Sequence, residues 1–357
     1  MADILFVTHQ LAYNQYGGAE TQMVKTAEAI NALGLDYRAV VFDPWEHRLE
    51  DFDLIHIFKP RAFQAESMEI ASVAHKRGCM VAVSPIFYHD HGFSRENMGT
   101  SERLLDAASM GLRPALRAGP LKYLDPFRFM ESVLRSADVV MPNTMEEARQ
   151  VEETFLVPPE KCYVVPNGVD DRFVEGDARL FEGCFGARDF ILSVGRVEPR
   201  KNIFRLIEAF EASGLESTLV IMGQMEDDEY SRRCRERASS NVMFLPPIQH
   251  GSALLSSAYK AAKVVALPSY FETPGLAALE GGLAGANVVV TKKGGAGEYF
   301  GDLAWYVDPL STESITHALR AAYTAPRREG LVQRIQKNYT WEAVARQTIE
   351  GYRIAGV

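Results

Sequence analysis

A chain of 357 residues is long enough to fold as two domains with separate cores. Its 38 Lys and Arg against 47 Asp and Glu give a formal net charge of −9, which argues against general nucleic-acid binding. The four cysteines, Cys79, Cys162, Cys184 and Cys234, are scattered without C-x-x-C or metal-ligand spacing, and read as reduced thiols of a cytoplasmic protein. Met1-Ala2-Asp3 leads directly into an apolar strand, so no signal peptide is expected. No apolar run approaches the ~20 residues that a membrane span needs.

Ile4-Leu5-Phe6-Val7-Thr8 reads as a buried strand, followed by a loop that carries the pair Gly17-Gly18. The next helix places Met23, Val24, Ala27 and Ile30 on one face and stops near Gly34. Strand, Gly-rich loop and helix make the opening unit of a doubly wound sheet. The spacing is not G-x-G-x-x-G, yet paired glycines let a backbone approach a phosphate or a sugar closely. Further strands are expected at 37–42, 54–58, 80–84 and 139–141, with helical stretches such as 62–76 between them. That alternation predicts α/β architecture with a parallel sheet.

Two acidic or histidine clusters in this half point away from a metal. Asp51-Phe52-Asp53 sits just before a strand and reads as a turn with Phe52 packed. His89-Asp90-His91 are adjacent residues whose side chains diverge, so one ion cannot easily use all three. Residues 94–136 interleave Arg103, Arg113, Arg117, Lys122 and Arg128 with leucines and aromatics. Basic and apolar residues at helical spacing either lie on an anionic membrane face or cover the sheet as an ordinary helical pair. A helix is expected at 147–160, and the turn-rich, weakly periodic segment 175–186 places a domain boundary at about residue 172.

The second half restarts the pattern. Phe190-Ile191-Leu192-Ser193-Val194 is a strand, 195–202 a polar loop with Arg196 and Lys201, and 203–212 an amphipathic helix. The loop brings both cations to the C-terminal end of a parallel strand, where doubly wound folds bind ligands. Strands at 219–223 and 242–245 follow, then a helix at 254–262. Val264-Val265-Ala266-Leu267 is a buried strand, and Phe271-Glu272-Thr273-Pro274-Gly275-Leu276 turns into a helix that carries Glu280. Such a helix aims free N–H groups and the positive end of its dipole above the strand, a site for phosphate. Glu272 at the mouth of the turn and Glu280 two helical turns on are expected on one face. Carboxylates there accept sugar and ribose hydroxyls, so the pattern describes a nucleotide sugar. The Gly-rich 294–297 loop reads as structural, and 341–353 as a last helix.

The two Glu inside S-Y-F-E-T-P-G-L-A-A-L-E-G, with G-R-V-E-P-R-K-N at 195–202 and V-P-N-G-V-D at 165–170, resemble the retaining glycosyltransferases of family 4. The resemblance covers nearly the whole chain. It implies the GT-B fold: two Rossmann-like domains, 1–172 on the acceptor side and 173–338 on the donor side, with a helix at 339–357 crossing back to the first. It also implies a UDP- or GDP-linked sugar donor and a glycan or lipid-linked glycan acceptor, docked on 94–136 if it carries lipid. Arg196 and Lys201 would grip the donor diphosphate with the amides of the Pro274-Gly275-Leu276 turn, and no metal cofactor would be needed. Glu272 would hold the transferred sugar and Glu280 the ribose, while Gly17 and Gly18 would face the donor. Either His89 or His91 could match a family histidine near the sugar. An epimerase, a phosphorylase or a non-catalytic nucleotide-sugar-binding subunit on the same fold remains an alternative.

Overall fold

The computed structural model describes residues 1–9, 12, 17–60, 64–89, 125 and 127–357. By their internal contacts these form two units, Met1–Gly168 with Trp341–Val357, and Val169–Thr340. His91 and most of the basic, apolar stretch 94–136 lie outside the described residues. No helix among the described residues is long and apolar enough to cross a membrane.

The first unit runs β1 (Ala2–Val7), α1 (Gly18–Ala32), β2 (Tyr37–Val41), β3 (Leu54–Phe58), α2 (Glu66–Lys76), β4 (Met80–Ser84), α3 (Arg128–Ser136), β5 (Val139–Val140) and α4 (Met145–Phe155). Its strands are parallel in the order β2-β1-β3-β4-β5. Along β1, Ile4 and Phe6 enter one core and Leu5 and Val7 the other, as a strand covered on both faces requires. Phe52 is buried in the turn before β3, where Asp53 accepts the Asp3 N–H at 2.8 Å. The helix expected at 147–160 ends at Phe155, because Leu156 takes a left-handed conformation and Pro158-Pro159 follow.

The second unit runs α5 (Ala178–Phe185), β6 (Ile191–Val194), α6 (Ile203–Ser213), β7 (Leu219–Met222), α7 (Glu229–Arg237), β8 (Val242–Leu245), α8 (Ala253–Ala261), β9 (Val264–Leu267), α9 (Leu276–Leu283), β10 (Asn287–Thr291), α10 (Ala296–Phe300), β11 (Trp305–Val307), α11 (Thr312–Thr324) and α12 (Glu329–Asn338). The sheet order is β11-β10-β9-β6-β7-β8, again parallel. That order reverses direction between β6 and β9, the kind of place where open parallel sheets hold ligands beyond the carboxyl ends of their strands. The weakly periodic segment 175–186 contains α5: Asp177 caps it, Gly186 ends it, and Phe181 is buried.

The last helix, α13 (Trp341–Ile354), belongs to the first unit, where Trp341, Val344, Ile349 and Tyr352 join the core beneath β1 and β3. A Cβ on Gly168 would come within 2.4 Å of the Trp341 ring, so a glycine is needed where the indole seats. The division falls after Gly168 rather than near 172. Val169 donates to Tyr339 O at 2.8 Å, pairs with Thr340 and packs in the second core.

Candidate functional site

In the second unit, the two loops at the reversal of strand order meet. After β6, the turn Pro199–Lys201 delivers Lys201, and Asn202 adopts φ 59° to start α6. The Asn202 amide donates to Pro268 O at 3.0 Å and to Pro309 O at 2.8 Å. Arg205 adds a bond to Pro309 O at 2.8 Å, and the Tyr270 N–H donates to Arg200 O at 2.9 Å. The bonds at Pro268 and Tyr270 tie the β6 loop to the chain leaving β9, and those at Pro309 tie it to the chain leaving β11, so the backbone that carries Lys201 is held on two sides. Asn202 was visible in the sequence only as the end of a motif, and its anchoring role depends on contacts 66 and 107 residues away.

Lys201 Nζ donates to Glu272 Oε1 at 2.6 Å, and Ser269 Oγ donates to the same oxygen at 2.6 Å. Burial alone would raise the Glu272 carboxyl, but the Lys201 and Arg200 charges outweigh it and hold the group below its ordinary value. Burial also lowers Lys201, with the Glu272 charge opposing that effect. Arg200 bonds Glu198 and lies over the Phe271 ring. Arg196 sits on the same loop with an exposed side chain.

Glu272 lies ahead of the helix, at the mouth of the turn. The helix starts only at Leu276, beyond Gly275 at φ 81°, so Thr273 and Pro274 precede it. Glu272 is instead pinned by its backbone. Its N–H donates to Lys293 O at 3.2 Å, and its carbonyl accepts from the Gly295 N–H at 2.9 Å. Gly294, at φ 91°, makes this possible, since a Cβ there would fall 2.1 Å from Glu272 O. The glycine-rich loop read as structural is therefore the support of this carboxylate. No side chain caps the N-terminus of α9 among the described residues, which leaves its first amides for another acceptor.

Glu280, on α9, meets a different set. His250 Nε2 lies 2.7 Å from its Oε1, and the Tyr259 hydroxyl donates to Oε2. The hydrogen bond to Glu280 raises the His250 pKa, and burial keeps Tyr259 protonated. The Phe173 ring packs edge-on against both, at 5.8 and 5.3 Å. Neither His250 nor Tyr259 carries a signal in the sequence, because both reach Glu280 through the fold alone.

In the first unit, Gly17 caps α1 in extended conformation, and its N–H is committed to Glu20 Oε2 at 2.9 Å. Glu20 Oε1 meets His9 Nε2 at 3.1 Å in a buried pair that sequence reading did not single out. The His89 N–H donates to Gln150 Oε1 at 3.1 Å.

A family model described as "Glycosyl transferases group 1" matches residues 181–340, and one described as "Glycosyl transferase 4-like domain" matches residues 18–168. D-inositol 3-phosphate glycosyltransferase of Rhodococcus erythropolis is 30 % identical over 249 residues, covering 64 % of this chain and 56 % of that protein. The protein of the same name from Actinosynnema mirum is 36 % identical over 183 residues, covering 46 % of this chain and 43 % of its own. The chain thus spans about half the length of the curated relatives it matches. Among solved structures, sucrose-phosphate synthase from Thermosynechococcus elongatus superposes with a TM-score of 0.71 at 17 % identity, covering 99 % of this chain and 98 % of that one. HepE of Anabaena in complex with UDP and glucose gives 0.70 at 17 % identity, covering 99 % of this chain and 100 % of that one. With a parallel α/β sheet in each unit and a family model matching each half, the chain belongs to the group 1 glycosyl transferases and has the GT-B fold.

Proposed function

We propose that this chain is a retaining glycosyltransferase that moves a sugar from a UDP- or GDP-linked donor to a hydroxyl of a glycan or glycolipid acceptor, without using a metal. The observation that carries the reading is the junction of Lys201, Glu272 and the uncapped start of α9 in the second unit. Gly275, which opens that helix, lies close enough to Glu272 that a Cβ on it would sit 3.5 Å from Glu272 Cγ. A cation, an anionic hydrogen-bond acceptor and a set of amides are thereby grouped at the reversal of strand order.

Breaking the bond between sugar and diphosphate places negative charge on the departing oxygens. Fixed positive charge and N–H groups at that place lower the barrier most. Lys201, Arg196 and the amides of Gly275 and Leu276 are assigned that task, with Pro274 shaping the turn. Glu272 takes hydroxyls of the transferred sugar, and Glu280 those of the ribose. A phosphate oxygen of the leaving group accepts the proton of the attacking hydroxyl on the same face, so no separate protein base is required.

The test is a thermal-shift screen with UDP, GDP, UDP-glucose, UDP-N-acetylglucosamine and GDP-mannose, followed by product analysis. Because the named relatives act on D-inositol 3-phosphate, that compound belongs among the acceptors offered. The expected result is stabilisation by one nucleotide family and transfer with the anomeric configuration retained. An epimerised donor, or binding without transfer to any acceptor, overturns the reading.

A further inference from the structure

Glu272 is engaged unevenly. Lys201 Nζ and Ser269 Oγ both donate to Oε1, each at 2.6 Å, and no hydrogen bond engages Oε2 among the described residues. Ser269 is fully buried, two residues after β9, and Glu272 retains only 7 % exposure of its side chain. The backbone of Glu272 is clamped on both sides by Lys293 and Gly295. A carboxylate held at its backbone and at one oxygen has few torsional settings left, which narrows the directions open to the remaining oxygen.

We propose that Ser269 is a positioning residue for Glu272: with Lys201 it fixes Oε1 and presents Oε2 as the acceptor for a hydroxyl of the bound sugar. The inference rests on the proposed role of Glu272 toward the donor sugar and names the group that gives this role its direction. Lysine alone could not do so. An ammonium is a compact charge on a flexible stem and tolerates either oxygen, whereas a buried hydroxyl three residues away accepts one geometry. The same bond helps hold the carboxyl below its ordinary pKa, after the larger effects of the Lys201 and Arg200 charges against burial. The groups facing Glu272 are thus Lys201, Arg200 and Ser269.

The experiment compares wild type with Ser269→Ala and with Ser269→Cys, which keeps the volume and gives up most of the donor strength. The Glu272 carboxyl is titrated by NMR with 13C-labelled glutamate and assigned with Glu272→Gln. Both Ser269 variants should titrate at higher pH than wild type. Turnover of the donor that wild type uses should fall on the order of ten-fold, the loss expected for one hydrogen bond to a charged group. In a Glu272→Gln background the same change at Ser269 should add little, since the two act as one unit. An unchanged carboxyl titration in both folded variants overturns the proposal, as does a full additional loss in the Glu272→Gln background. If wild type turns over no donor, the functional reading fails while the carboxyl titration still decides whether Ser269 sets the state of Glu272.

Discussion

Replacing Lys201 by Ala separates what this residue does for folding from what it does for turnover. Lys201 and Glu272 are 16 % and 7 % exposed at the side chain and 2.6 Å apart. Removing one member of a buried pair costs about 3–5 kcal/mol when the other charge is stranded. Here the stranded carboxylate keeps Ser269 and can take up a proton, so the loss should lie near or below the lower end, about 2–3 kcal/mol. For a unit of this size that lowers the melting midpoint by roughly 5–10 °C. Turnover should fall much further, on the order of a hundred- to a thousand-fold, if the ammonium stabilises charge that develops on the leaving diphosphate. The assays are a thermal melt and nucleotide release, the latter run well below the variant's midpoint. In Lys201→Ala with Glu272→Gln the uncompensated carboxylate is gone, and the midpoint should recover while turnover stays low. A folded Lys201→Ala protein that retains turnover within about ten-fold of wild type would refute the assignment.

Glu280→Gln should raise the KM for the donor more than it lowers kcat, because the ribose is remote from the bond that breaks; an unaltered KM counts against a ribose role. Gly294→Ala places a Cβ 2.1 Å from Glu272 O at a φ of 91°, so both the midpoint and kcat should drop, and a variant with wild-type values for both would show that the clamp is dispensable. His56 is buried against Ser84 and Tyr352, and burial lowers its pKa from the ordinary 6.5 to about 3. Between those values the unfolded chain binds a proton that the native state refuses, so stability falls as pH drops, by about 1.4 kcal/mol per pH unit from this group. Urea midpoints measured from pH 7 to pH 4 should therefore fall less steeply in His56→Gln than in wild type, and equal slopes would dismiss the buried-imidazole account.

Local pattern carried much of the fold. Apolar runs such as Ile4 to Val7 and Val264 to Leu267 are buried on both faces, and a strand of that kind is readable because nothing polar interrupts it. Where the signal was a turn-like composition, as in α5, capping by Asp177 and Gly186 decided the outcome and the pattern did not. The site was legible in its charged members and illegible in their supports. Lys201 and Glu272 stand out as charged residues in loops after strands, and Glu280 as an acid on the helix that follows. Ser269, Asn202, His250 and Tyr259 are ordinary residues until the fold brings them to a carboxylate or a carbonyl. The helix start illustrates the same limit. Pro274 suits a first helical turn, but Gly275 at φ 81° sets the start at Leu276 and leaves Thr273 and Pro274 outside.

The position of Glu272 ahead of the helix sets what it can do. A glutamate on the first turn of α9 would compete for the same amides that a phosphate needs, since its carboxylate would cap them. Held instead on the bridge to Gly294, with one oxygen given to Lys201 and Ser269, it leaves those amides uncapped. Lys201 and Glu272 are 71 residues apart in sequence, and it is the reversal of strand order between β6 and β9 that brings them into contact. One strand order thus sets a cation, a directed carboxylate and open amides side by side without letting them satisfy one another completely. A site whose groups were fully paired would have nothing left to bind with.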